Sequence, residues 1–413
     1  MIKKRIIILG GGIGGQAAAN RLRGLLDGQH EITIIDRNES FAFPPSFLWL
    51  MTGDRRPEEI TRKTNQLVRP GIEVIQAEVR RIDLAGHFVE IEGRRLDYDY
   101  LIIALGADLA PEIIPGMAEA AHTFYTIEGA KRLHDTLKGF RDGTLAIVVG
   151  ALPYKCPGAP HEASMLFADF FRKSGLRDKV DIHLFTPEPQ PLPVAGPKLG
   201  GEVRQMLEAK GIHLHPLHKL MSVNPQAREL IFEGKEKVGY DLLAAIPPHR
   251  GPNIIREAGL ANEAGWIPVD RATLATRNEN VYAIGDVAAV PIPGRWKPDA
   301  PLMLPKAGVF AHTQAEVVAH NIAAEIMGSA ANAKFQGMGY CMLEAGDGRA
   351  GLAFGNFFAE PSPEIQLKGT GKTWHLGKVL FEQWWLAPFG PRREALRLAF
   401  ELGARLFGIP VEL

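Results

Sequence analysis

Cysteine is almost absent: the 413 residues contain two, Cys156 and Cys341. That excludes a disulfide-stapled scaffold and a four-cysteine metal site, and no metal is expected. Net charge is absent as well, because 47 lysines and arginines face 47 aspartates and glutamates. No global basic field is available to neutralise phosphates, so nucleic acid is not expected as the main partner. No run of about 18 apolar residues occurs, and no transmembrane helix is predicted. The basic start and apolar run of residues 1–15 have the outline of a signal peptide, but the run ends in glycines instead of a small-residue cleavage site. It reads as a buried first strand, with no signal peptide. Glycine and proline are frequent but follow no period, which excludes a fibre. A chain of this length is expected to form two or three domains.

What is present starts with KRIIILGGGIGGQAAANRL, an apolar strand, a glycine loop and a helix, followed by a second strand, EITIID, at 31–36. Gly10, Gly12 and Gly15 form G-x-G-x-x-G at the strand–helix junction, and Asp36, with Arg37 beside it, ends the second strand. Glycines there permit a tight turn and close approach of the backbone to a pyrophosphate. The helix N-terminus offers free N–H groups, and the aspartate accepts hydrogen bonds from the adenine ribose. A lone glycine motif is a weak signal. The strand, helix and acidic residue in order predict a dinucleotide site.

Period-two alternation fills 72–108, with turns at Gly86 and Gly93. Residues 128–140 read as a helix. TLAIVVG at 144–150, a helix near 160–173 and KVDIHLF at 179–185 make a second strand–helix–strand unit, and 198–210 read as a further helix. A long helix is predicted from Ala307 to Met327, and GYCMLEAGDGRAGLAFGNF at 339–357 is predicted to be a hairpin turning at Gly346-Asp347-Gly348. The expected fold is α/β. It has two tandem Rossmann-like domains of the FAD/NAD(P)-binding type, followed by a C-terminal hairpin and an amphipathic helical tail. The expected division is 1–114 with 270–327 for the first nucleotide domain, 115–269 for the second, and 328–413 for a C-terminal redox and membrane region.

TRNENVYAIGDVAAV resembles the second FAD fingerprint of two-dinucleotide-domain flavoproteins, which places Gly285 and Asp286 at the ribityl chain of FAD. YDYLIIALGAD, with Gly106, resembles that family's strand ending in Ala-Thr-Gly, Leu105 replacing the threonine. The second unit should bind a nicotinamide nucleotide, yet its loop runs Gly150-Ala151-Leu152-Pro153. Proline lacks the donor N–H and fixes φ, so the loop suits a phosphate poorly. This weighs against NADH:quinone reductase chemistry. A cysteine pair of the disulfide reductases is also missing from residues 40–50.

Cys156 takes the place of that loop, with Lys155 adjoining it and a helix N-terminus just after it. Both are expected to favour the thiolate. Glu162 is a candidate proton shuttle, or else an acid matched to the helix dipole, and His161 reads as a surface residue. PYKCPGAPHEASML resembles the segment of sulfide:quinone oxidoreductases that carries one redox cysteine, and the likeness extends to PLMLPKAGVFAHTQAEVVAHNIAAEI and to GYCMLEAGDGRAGLAFGNF around Cys341. The resemblance implies that Cys156 and Cys341 flank the flavin; the expected mechanism has Cys156 carrying sulfur and Cys341 passing electrons on. The bare alternative is two unconnected thiols. Lys306 and the following helix start are expected to stabilise charge on the flavin, the alternative being a plain surface lysine. A third cysteine of many members is missing near Phe124 and Tyr125, which implies non-covalent FAD.

The tail pairs an aromatic stretch with an amphipathic one in which Leu396, Ala399, Phe400, Gly403, Leu406 and Phe407 share a face. This predicts a helix in the plane of the cytoplasmic membrane, or else one docked on the core or in a homo-oligomer contact. The resemblance assigns Phe357 and Phe381 to a quinone wall. Sulfide and quinone are the implied reactants. Donation to a cytochrome c, as in flavocytochrome c sulfide dehydrogenases, and a redox-sensing flavoprotein are the competing readings.

Overall fold

The computed structural model describes residues 2–409; Met1 and residues 410–413, which belong to the terminal stretches read above, lie outside the described residues. Isoleucine and leucine occupy almost every position of the first strand, β1 (Arg5–Leu9), and its last four residues are buried. A run without polar alternation needs cover on both faces, which is the signature of a central parallel strand. Helix α1 (Ile13–Leu25) supplies one cover, and β2 (Glu31–Asp36) pairs in parallel beside β1. A short helix, α2 (Phe47–Thr52), precedes β3 (Glu73–Gln76), and β4 (Tyr100–Ile103) pairs on the other side of β1.

The chain then leaves this sheet. Helix α3 (Ile127–Gly139) leads to β5 (Gly143–Val149), α4 (Ala159–Lys173), β6 (Val180–Phe185), α5 (Pro197–Glu208), β7 (Ile212–His215) and β8 (Leu242–Ile246). These strands form a second parallel sheet in the order β7-β6-β5-β8. Strand β9 (Val281–Ala283) returns to the first sheet, completing the order β9-β4-β1-β2-β3. Two strand–helix–strand units of this kind are the doubly wound arrangement that the alternation of elements predicted. The alternating stretch after β3 folds into a small antiparallel sheet over 79–97.

Helix α6 (Gly308–Ile326) runs along α1, so the two helices cover the same face of the first sheet. The predicted hairpin is present as β10 (Met338–Gly346) and β11 (Arg349–Asn356), and a third antiparallel strand, β12 (Glu364–Gly371), extends it. Helix α7 (Lys372–Leu386) then lies on β10 and β11, and α8 (Pro391–Leu406) packs on α7. Strand β10 also meets α4, bringing the C-terminal sheet onto the second nucleotide unit. Among the described residues no helix is long and apolar enough to cross a membrane.

Candidate active site

The first nucleotide site forms where β1 ends. Gly10 takes φ 101°, and a methyl group there would lie 2.3 Å from the Ala104 carbonyl oxygen. At Gly15 it would lie 1.9 Å from the Gly10 carbonyl oxygen, so only glycine allows α1 to come this close to the strand. A Cβ on Gly12 or Gly106, by contrast, would point into open space. Asp36 accepts the Gly11 N–H at 2.6 Å and the Asn38 N–H at 2.7 Å, which fixes the carboxylate beside the glycine turn. Arg37 stays exposed and pairs with Asp108 at 3.1 Å.

The opposite rim gathers Gly285, Asp286 and Lys306. The Gly285 N–H donates to Gln314 Oε1 at 2.7 Å, and Gly285, Lys306, Phe310 and Gln314 line one small crevice. The Lys306 ammonium donates to the Asp286 carbonyl and lies 3.5 Å above the Trp266 ring. Burial brings Lys306 down to about 8, with the Asp286 charge pulling the other way. Asp286 is itself pushed up by burial and held down by Lys155 and Lys306. Lys306 is therefore a buried charge facing the nucleotide cleft, in place of the plain surface lysine considered from the sequence. An open glycine cradle, a fixed carboxylate and a buried ammonium are the donor set that a flavin dinucleotide needs, and FAD fits this site.

In the second unit the loop after β5 makes a different contact. Cys156 adopts φ 54°, in the left-handed region that non-glycine residues rarely occupy. Its N–H donates to the Lys306 carbonyl at 2.7 Å, and its own carbonyl accepts the Ala159 N–H at 2.9 Å. The loop is thus stitched to the segment that starts α6, across the cleft. The Tyr125 hydroxyl donates to the Lys155 carbonyl at 2.7 Å and holds the loop from beneath.

Cys341, on β10, reaches the same place. A methyl group on Gly158 would lie 3.9 Å from Cys341 Sγ and 3.5 Å from Glu162 Oε2. Cys341 is exposed, yet the protein around its sulfur desolvates the thiol. Desolvation pushes its thiol up to about 12, helped by Glu162, while Lys378 opposes. Cys156 is half-buried and is raised well above the usual thiol range, by burial first and then by the charges of Glu162 and Cys341.

Two sequence expectations are corrected here. The thiolate of Cys156 was to be favoured by Lys155 and the helix end, but desolvation prevails. The Lys155 ammonium turns away, toward the Ala107 carbonyl at 3.5 Å and the charges of Asp286 and Asp108. His161 is fully buried, not on the surface, and desolvation lowers it to about 3.

Glu162 is buried in the first turn of α4 and accepts the Glu344 N–H at 2.8 Å and the Lys378 ammonium. Lys378 gave no signal in the sequence. It is one of two lysines in an aromatic helix, and only its spacing of three residues from Phe381 put it on the same face. Glu344 was a carboxylate within an apolar strand, a sign of a partnered buried charge that went unused. Phe381 is buried against Phe43, Tyr340 and Phe400, whereas Phe357 packs edge-on to Phe310.

The sequence is 26% identical to the mitochondrial sulfide:quinone oxidoreductase of Mus musculus, over 86% of this chain and 79% of that one. It is 27% identical to the sulfide-quinone reductase of Aquifex aeolicus, over 93% of this chain and 90% of that one. The crystal structure of the sulfide:quinone oxidoreductase from Aquifex aeolicus superposes with a TM-score of 0.84 at 26% identity, covering 97% of this chain and 95% of that one. Residues 4–300 match the family described as pyridine nucleotide-disulphide oxidoreductase, which spans both nucleotide units. Cofactor cradle, fold and sequence agree in making this a flavin-dependent oxidoreductase, and the chain belongs to the pyridine nucleotide-disulphide oxidoreductase family.

Proposed function

We propose that the protein oxidises sulfide at Cys156 and Cys341 and passes the electron pair to a quinone at a membrane surface. The observation that carries this reading is the replacement of the second phosphate loop. Where a nicotinamide nucleotide would donate electrons, the chain instead brings two cysteine thiols and Glu162 together at the edge of the flavin site. Relatives that span nearly the whole chain are sulfide:quinone oxidoreductases.

In the oxidised state Cys156 and Cys341 are joined, directly or through sulfur. A hydrosulfide ion attacks on the Cys156 side. One sulfur–sulfur bond forms, leaving a persulfide on Cys156, and the bond toward Cys341 breaks with its electron pair on Cys341 as the thiolate. Lys378, the one positive charge that acts on both thiols, stabilises that leaving group. Glu162 takes up the proton released as the sulfur is further ionised. Lys306 and the start of α6 supply positive potential on the cleft side, and Asp36, Gly10, Gly12 and Gly15 hold the dinucleotide. FAD held by these residues would supply the two-electron chemistry that links the thiols to quinone. The Phe381 neighbourhood is the proposed quinone wall. The exposed side of α8 is the proposed membrane face.

The test is anaerobic titration of the holoenzyme with sulfide, then with decylubiquinone. Sulfide should bleach the flavin and quinone should restore it. Cys156→Ser and Cys341→Ser should each lower turnover by roughly three orders of magnitude or more. Unimpaired sulfide-dependent bleaching in both variants would sink the scheme.

A further inference from the structure

Behind the thiols, away from the cleft, buried charges run outward to solvent. Glu162 is the inner member and Lys378, on α7, is bound to it. Glu344, on β10, donates its N–H to Glu162 Oε1 at 2.8 Å, and its carboxylate is almost completely buried. That carboxylate meets His375 Nδ1 at 3.0 and 3.1 Å. His375 lies three residues before Lys378, so both project from one side of α7. Its side chain is 26% exposed and is the outermost member.

Lys378 is bonded to Glu162 and feels the Glu344 charge as well. Trp49 of α2 walls the row, with the Lys378 ammonium 5.5 Å above its ring and His375 edge-on at 5.8 Å. Beyond Trp49 stand Arg55, 4.6 Å over the same ring, and Glu382, which pairs with Arg55 at 2.8 Å. The charges facing the row are thus Cys156 and Cys341 inside and a closed ion pair outside. The His375 imidazole, with its side chain 26% exposed, is the member of the row that reaches water on this side.

We propose that Glu344 and His375 form the outlet of a proton path from the cysteine pair to solvent, with Lys378 as the swinging link; the proposal rests on the sulfide-oxidising reading above. A proton taken by Glu162 passes to Lys378 as Lys378 delivers one to Glu344, so the ammonium keeps its charge. Glu344 hands the proton to His375, which releases it to water. No electron moves in these steps, and each carboxylate ends ionised. Glu344 and His375 act through Glu162 and are positioning residues.

The holoenzyme carrying His375→Ala should turn over sulfide with quinone about tenfold more slowly, a modest share of what a proton carrier contributes. The KM for sulfide should stay unchanged, and added imidazole should restore the rate. His375→Gln serves if the alanine variant folds poorly, and it should show the same loss. Unchanged turnover and pH profile in both, or a loss that imidazole leaves untouched, overturns the proposal.

A second arm needs no flavin. In reduced Glu344→Gln protein, iodoacetamide should alkylate Cys341 severalfold faster near neutral pH, because a charge that raises this thiol is gone. An unchanged rate would uncouple Glu344 from the cysteine and refute the path. If wild-type protein fails to reduce quinone with sulfide, the functional reading falls, while the alkylation rates still report on the charge coupling.

Discussion

A single methyl group at Gly15 would meet the Gly10 carbonyl oxygen at 1.9 Å, and the backbone of α1 has no room to retreat. Gly15→Ala should therefore purify without flavin, as read from the absorbance of the isolated protein near 450 nm, in roughly stoichiometric contrast to wild type. Titrating residues give a second prediction. Burial lowers His161 and His249 to about 3 and His312 to about 4, from an ordinary 6.5. Below pH 6.5 the unfolded chain binds protons at these histidines while the native state does not, so stability falls as pH drops toward 4. Each group contributes about 1.4 kcal/mol per pH unit in that window. Glu188, raised to about 7 by burial, works in the opposite sense: between 4.5 and 7 the native state holds the proton more tightly. These histidines, joined by His215, which burial lowers to about 4, outweigh the one glutamate and give a net acid loss. Urea midpoints measured from pH 7 to 4.5 should fall, and His312→Gln should flatten the curve. A slope unchanged by that substitution would mean His312 is not the neutral buried group described.

Helix α8 shows how an element can be legible while its orientation is not. Its periodicity marked Leu396, Phe400 and Phe407 as one apolar face, which the sequence reading offered to the membrane or to the core. Phe400 is buried against Phe381, Ala404 beside it is buried as well, and Leu396 is half-buried, so this side of the expected face docks inward, whereas Ala399, Leu406 and Phe407 of the same expected face are exposed. The outward row is Leu398, Leu402 and Leu406, exposed by 54%, 62% and 77%; the expected apolar face had included Leu406 but neither Leu398 nor Leu402. Two apolar stripes on one helix mean that only packing decides which is covered. Leu402→Glu should abolish sedimentation with liposomes and shift Tm by less than about 2 °C, because it touches nothing buried. Phe400→Ala should instead destabilise the protein by about 3–5 kcal/mol. The nucleotide strands and α1 were readable because glycine spacing and unbroken apolar runs are local signals. The third strand β12 and the cluster around Lys378 were not, because they depend on which distant segments meet.

At the scale of the whole molecule, the C-terminal region is tied to the first nucleotide unit by a buried ion pair. Glu382 of α7 accepts Arg55 at 2.8 Å and the Ser46 hydroxyl at 2.5 Å. Removing one partner leaves a desolvated charge, so Glu382→Gln should cost about 2–3 kcal/mol and expose the chain near 357–372 to limited proteolysis earlier than in wild type. Protease resistance equal to wild type would show that apolar packing alone holds the region. The tandem α/β plan and the identity of the cofactor were legible, since each rests on motifs that sit next to a strand. From the residues alone the surroundings of Cys156 were legible as an absence, a loop without glycine; Cys341 entered through the resemblance, and Lys378 was missed, because these neighbours come from the other half of the sequence. One consequence follows from that arrangement. Cys156 belongs to the loop of the second sheet, while Cys341 belongs to a strand of the C-terminal sheet. In the proposed cycle a bond between them would be a latch across two layers, and opening and closing it would load and unload the seam between the layers. Oxidised protein should then resist pulling and heat as one body, and reduced protein should yield first along that seam.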